Sequence, residues 1–85
     1  MNPKNRTRIP AADLYVLLQR EFRRRQLREC DTCYVQLPFL IDRPAPEDAN
    51  WELLIPGECT RGCREILDEI VEEFSRAFDL LPEAR

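Results

Sequence analysis

Four cysteines in two closely spaced pairs constrain this chain of 85 residues more than any other feature. Cys30 and Cys33 are separated by two residues, and Cys59 and Cys63 by three. A stretch rich in β-branched and aromatic residues lies between the pairs, and helical patterns lie outside them. If the pairs meet in space, they join a hairpin and two helices at one point. A domain this small has a modest core, so a metal or disulfide cross-link would add useful stability.

The first predicted helix runs from about Ala11 to Glu29. Its apolar side consists of Leu14, Tyr15, Leu18 and Phe22, which share one sector at ~100° per residue. Its opposite side is rich in arginine and also carries Val16 and Leu27. Residues 1–10 are polar and basic, so we expect a flexible arm there, with residues 11–85 forming a single domain.

Two strands are predicted between the cysteine pairs, at about Tyr34–Ile41 and Asn50–Ile55. The apolar residues expected on one half-buried face alternate along them: Val35, Leu37, Phe39 and Ile41 in the first, and Trp51, Leu53 and Ile55 in the second. Pro38 restricts the first strand to a sheet edge or a bulge, because proline lacks the backbone N–H. A turn-rich segment with two prolines joins the strands.

The last helix has the clearest periodicity in the chain. Thr60 is its candidate N-cap, and Pro82 marks its end. Apolar residues recur at i, i+3, i+4 and i+7, namely Ile66, Leu67, Ile70, Val71, Phe74, Ala77, Phe78 and Leu81. Acidic residues fill the other side, and Cys63 falls on the apolar side. The sequence therefore predicts an α+β domain of order α-β-β-α, with a two-stranded antiparallel hairpin packed against both helices.

The cysteine spacing predicts a structural zinc site. Four thiolates complete the tetrahedral shell that Zn²⁺ prefers, and two short-spaced pairs supply them as Cys30, Cys33, Cys59 and Cys63. The start of a helix stabilises thiolates through its dipole and free N–H groups, which favours the second pair as ligands. A knuckle pair, a hairpin and a helix that begins with a second pair resemble the treble-clef group of zinc fingers. The resemblance covers Cys30 to about Phe74 and concerns architecture, which says little about function.

Two other interpretations of the cysteines remain open. In an oxidising compartment they could form Cys30–Cys63 and Cys33–Cys59 disulfides, or take part in reversible thiol redox chemistry. They could also be ordinary reduced cysteines in the core, because cysteine is among the most buried residue types. An iron–sulfur cluster is a minor variant of the metal interpretation.

The charge distribution suggests where a partner would bind. Residues 1–28 carry eight basic and two acidic side chains, whereas residues 29–85 carry five and fourteen. Arg20, Arg24 and Arg28 recur every four residues, so they predict a basic row on the first helix, with Val16 and Leu27 as nearby apolar contacts. This row would suit a nucleic acid backbone, or it would simply be a solvated helix face beside a protein-binding site.

The sequence argues against an enzyme and against a membrane protein. It contains no histidine to activate a cysteine nucleophile, and two glycines do not make a phosphate-binding loop. It has neither an apolar run of ~18 residues nor a secretory signal, so we expect a cytoplasmic protein. We therefore predict a zinc-stabilised, non-enzymatic module that contacts another protein and that could form a homodimer. The alternatives are a nucleic-acid-binding protein and a thiol redox protein or metal carrier.

Overall fold

The computed structural model describes residues 6–28, 33–57 and 59–82. The described elements, in chain order, are β1 (Thr7–Ile9), α1 (Ala11–Arg25), β2 (Phe39–Leu40), β3 (Trp51–Glu52), α2 (Arg61–Ala77) and β4 (Phe78–Leu80). The predicted α+β class and the α-β-β-α order are confirmed, and one short strand is added before the first helix and another after the second.

The core lies where the apolar sides of α1 and α2 meet. From α1 it receives Leu14, Leu18 and Phe22, all buried as the helical period predicts. From α2 it receives Cys63, Leu67 and Ile70. Trp51 of β3 is 3% exposed in the same cluster, so the hairpin packs against both helices. Burial of large apolar side chains such as these supplies most of the favourable free energy of folding.

Helix α1 ends at Arg25, four residues before the predicted end. Gln26 adopts an extended conformation, with φ −60° and ψ 134°. Leu27 then lies beside the start of α2, where a Cβ added to Gly62 would come 3.4 Å from the Leu27 Cδ1. Leu27 therefore makes a tertiary contact that the periodicity of α1 does not encode. Glu29, the predicted last residue, lies outside the described residues.

The hairpin is much shorter than the sequence predicts. Phe39 pairs with Glu52 and Leu40 with Trp51 in antiparallel register, and the Ile41 N–H extends the pairing by donating to the Asn50 carbonyl at 2.9 Å. The prediction of one half-buried face is wrong for Leu37, which is 56% exposed, and for Phe39, which is 38% exposed. Val35 is buried, and Leu53 and Ile55 pack against the core. Two strands of two residues cannot keep a long alternating pattern on one side.

The chain termini of the described region form a second, parallel pair of strands. Thr7, Arg8 and Ile9 of β1 are in register with Phe78, Asp79 and Leu80 of β4. The expected flexible arm is therefore wrong for residues 7–9, and residues 1–5 lie outside the described part of the chain. The predicted continuation of α2 towards Pro82 is also wrong, because Phe78 switches to φ −134° and ψ 145° and begins a strand.

The side chain of Asn50 joins the two strand pairs. It accepts from the Leu80 N–H at 2.8 Å and donates to the Leu80 carbonyl at 2.9 Å, which imitates a neighbouring strand. The Trp51 indole N–H donates to the Phe78 carbonyl at 3.0 Å. Asp79, 6% exposed, accepts from the Asn50 N–H and pairs with Arg43 at 3.2 Å. Polar groups in and around this junction are thereby satisfied, as burial requires.

Candidate metal centre and the outer face of the first helix

Cys33 and Cys59 are brought together although 25 residues separate them along the chain. Cys33 precedes the hairpin and is 6% exposed; Cys59 follows the Pro56-Gly57 turn and is 8% exposed. The Cys59 N–H donates to the Pro56 carbonyl at 3.2 Å, which closes that turn. Both cysteines carry free thiols. The first cysteine pair thus contributes one member, and the second pair another, to the same buried site.

The two thiols interact directly. Burial, followed by the hydrogen bond with the Cys33 thiol, raises the pKa of Cys59 to about 11. The positive charge of Arg64 and the backbone N–H of Tyr34, which is directed at the Cys59 sulfur, act in the opposite direction and lower that pKa. The site therefore disfavours a thiolate in the absence of a cation, although it already contains donors that would stabilise one.

Cys63 occupies the first turn of α2 and is fully buried. Thr60 caps this helix as predicted: its hydroxyl oxygen accepts from the Cys63 N–H at 3.4 Å, and the hydroxyl donates to the Cys63 sulfur at 3.1 Å. One side chain therefore positions both the helix start and the sulfur. In this structure Cys63 is disulfide-bonded, and a metal-bound state would require it as a thiolate.

The four-cysteine zinc site stays a prediction. Among the side chains that the structure describes, no group of three or more His, Cys, Asp or Glu is arranged to hold a metal ion. Cys30, the first predicted ligand, lies outside the described residues. The described sulfurs nevertheless have the surroundings that ligands need, namely N–H and O–H donors directed at sulfur and a nearby arginine.

The predicted basic row on α1 is only partly formed. Arg20 lies on the outer side of the helix, but Arg24 is engaged by Glu21 in an ion pair of 2.5 Å. Arg28 and Leu27 lie beyond the end of the helix, so the spacing of four residues does not continue there. Val16 is 50% exposed and Leu27 is 42% exposed, in agreement with their predicted accessibility.

Arg23 was absent from the predicted partner-binding set although the structure places it on the exposed side of α1. Val16, Arg20 and Arg23 occupy positions i, i+4 and i+7, which lie on one face of an α-helix. The seven-residue spacing between Val16 and Arg23 was the signal in the sequence that could have identified Arg23. The predicted row used a spacing of four residues instead and therefore omitted it. The name "arginine face" refers below to Val16, Arg20 and Arg23.

Comparison with protein-family models, with curated proteins and with solved structures found no match. In the described ranges, neither helix combines the length and the apolar character needed to cross a membrane.

Proposed function

We propose that this chain is a small non-enzymatic binding module whose fold is stabilised by a structural zinc site and which contacts another protein in the cytoplasm. The observation that carries the zinc part is the meeting of Cys33 and Cys59 as buried, interacting thiols next to the start of α2. These two cysteines come from the two different pairs, which is the arrangement that a shared metal ion requires.

The ligand set would be Cys30, Cys33, Cys59 and Cys63, each as a thiolate. When bound, the ion would supply a closed tetrahedral shell and thus structural stability, with no open coordination position for a substrate. The Tyr34 N–H and the Thr60 hydroxyl support this proposal, because such donors orient sulfur ligands and reduce their negative charge. The absence of histidine from the sequence further supports a function without catalysis.

Elemental analysis of untagged protein, purified under reducing conditions, tests the zinc site. We expect one zinc per chain and a marked loss of stability after strong chelation, because the binding free energy of a structural zinc is folding free energy. Cys33→Ser and Cys63→Ser should lose zinc to a similar extent, since each removes one ligand. Ser75→Ala is a control far from the cysteines in the sequence and should retain zinc. Metal-free protein with an unchanged melting temperature would contradict the proposal.

A thiol redox protein is the second candidate, and the disulfide at Cys63 favours it. Exchange with the disulfide of a partner protein, which would be reduced to two thiols, would convert the neighbouring Cys33 and Cys59 thiols into a second disulfide. The raised pKa of Cys59 weighs against rapid exchange, because a thiol with a pKa of about 11 is rarely deprotonated near neutral pH. Counting alkylatable thiols in freshly isolated protein separates the candidates: metal-free protein without free thiols supports the redox protein.

A further inference from the structure

The four arginines of helix α1 fall into two groups. Arg24 and Arg25 form ion pairs with carboxylates of the same molecule, Glu21 and Glu73. Arg20 and Arg23 are exposed and form no ion pair with any described residue. Two arginines of the helix are thus paired within the fold, while the other two leave their charge available to a partner.

The same face carries an exposed apolar side chain. Val16 is 50% exposed, one helical turn before Arg20, and the opposite side of the helix is fully used by the core. An apolar contact surrounded by cations is complementary to an apolar side chain surrounded by carboxylates. Arginine adds specificity to such a contact, because its guanidinium group forms two parallel hydrogen bonds with a carboxylate.

We propose that the arginine face binds an acidic segment of a partner protein, with an aliphatic side chain of that segment on Val16 and its carboxylates on Arg20 and Arg23. This inference rests on the proposed function of a protein-binding module and specifies the surface and the chemistry of the partner. Its contacts use exposed side chains of α1 and no cysteine, so binding is tested on protein whose fold and zinc content have been checked.

The charges along α1 favour a short acidic segment over a nucleic acid. The exposed Asp13 lies one helical turn before Val16. A long polyanion that continues along the helix past Val16 would meet this carboxylate. Nucleic acid affinity grows with the number of phosphates neutralised, and the two unpaired arginines of α1 neutralise few of them.

Peptide binding measured by fluorescence anisotropy tests the proposal. The probes are a synthetic 12-residue peptide of glutamate with leucine at every fourth position, the same peptide with serine in place of leucine, and a mixed-sequence DNA duplex. Arg20→Gln/Arg23→Gln should weaken binding of the leucine peptide roughly tenfold or more, because it removes both charge-assisted contacts. The matched control is Arg61→Gln/Arg76→Gln, which removes two exposed arginines from α2 and should change the Kd less than about twofold.

Val16→Ser separates the apolar contact from the charges. It should weaken binding of the leucine peptide about threefold to tenfold and leave binding of the serine peptide unchanged. Equal losses in the two arginine variants, or no binding of the leucine peptide below millimolar concentration, would overturn the proposal. Tighter binding of the DNA duplex than of the leucine peptide would also overturn it, because the arginine face would then bind a nucleic acid. Self-association that is abolished in the Arg20→Gln/Arg23→Gln variant would overturn it as well, because the face would then bind a second copy of the chain.

Failure of this inference and failure of the zinc proposal are distinguishable. Circular dichroism and zinc content are measured on every variant before binding, and none of these substitutions removes a cysteine. Folded, zinc-containing protein that ignores the peptide contradicts the arginine face alone. Metal-free protein that binds the peptide through the arginines contradicts the zinc site alone.

Discussion

The two ends of α2 are held in different ways. At its C-terminal end, the chain enters β4, which is paired with β1 on one side and with the Asn50 side chain on the other. At its N-terminal end, the neighbouring segments lack strand pairing in the described residues and meet through Cys33 and Cys59. We call the region at the C-terminal end of α2 the strand end and define it by residues 7–9, 50–51 and 78–80. We call the region at its N-terminal end the cysteine end and define it by residues 33–35 and 59–63. The strand end depends on backbone and amide hydrogen bonds, whereas the cysteine end depends on sulfur chemistry.

Disruption of the strand end should have the largest effect at Trp51. Its side chain is buried and its indole N–H is bonded to the Phe78 carbonyl, so Trp51→Ala should lower the free energy of unfolding by roughly 3–5 kcal/mol. Urea denaturation followed by circular dichroism measures the change. Trp51→Phe keeps most of the apolar volume and should cost clearly less. Similar losses from both substitutions would show that the hydrogen bond, and not packing, is the dominant contribution.

The Asn50 amide is predicted to have the next largest effect. Asn50→Ala leaves the Leu80 N–H and carbonyl without their side-chain partner, which should cost about 2–3 kcal/mol. Gln36→Ala is the control, because that amide is half-buried and takes no part in the strand junction. Equal stability of the two variants in urea would contradict the role assigned to Asn50 as a substitute strand.

Alkaline pH should weaken the cysteine end selectively. In reduced, metal-free protein the pKa of Cys59 is raised from 9.0 to about 11, so the folded state holds its proton after the unfolded state has released it. The contribution of the protonated Cys59 thiol to the free energy of unfolding is fully present below pH 9. It is lost as the pH rises from about 9 to about 11. Thermal melting across this range should reveal the loss. Cys59→Ser should flatten the profile over that interval, and an unchanged slope in this variant would refute the assignment.

Acid should have the smallest effect, through the ion pair of Arg25 with Glu73, which joins α1 to α2, and that of Arg24 with Glu21 within α1. Hydrogen bonds from Arg25 lower the pKa of Glu73, and those from Arg24 lower the pKa of Glu21. The stability that the two ionised carboxylates contribute is fully present above the ordinary carboxyl pKa. It is lost as the pH falls through their lowered pKa in the folded protein. Because Glu73 is exposed, Glu73→Gln should change the melting temperature only slightly and reduce its acid dependence. A large drop at neutral pH would contradict this weak coupling.

The sequence predicted the parts of the fold that follow from local periodicity. The apolar sides of both helices and the Thr60 cap were recovered, because a period of 3.6 residues and a capping hydroxyl are visible in any single segment. The strand end was missed because its pairing joins residues 71 positions apart in the sequence. Thr7–Ile9 looks like a polar arm on its own, and Phe78 continues the helical pattern until its partner strand is known.

The candidate sites likewise contain features that the sequence indicates and features that depend on tertiary structure. Spacing indicated which cysteines belong together, and the contact between Cys33 and Cys59 agrees with it. Spacing did not show that Glu21 engages Arg24, since an ion pair depends on rotamers. Nor did it show that α1 ends before Arg28, because Leu27 leaves the helix for Gly62. The arginine face is therefore narrower than the predicted row and includes Arg23.

Hydrogen–deuterium exchange of the whole protein, with and without a reductant and a zinc chelator, tests the contrast between the two ends most directly. The account predicts that the combined treatment, which removes both a metal ion and any disulfide, accelerates exchange of the amides of Tyr34, Val35 and Cys63. The amides of Phe78 and Leu80 should remain protected under the same conditions, because their partners contain no sulfur. Unchanged protection at the cysteine end, or equal loss at both ends, would contradict the claim that sulfur chemistry holds only one of them.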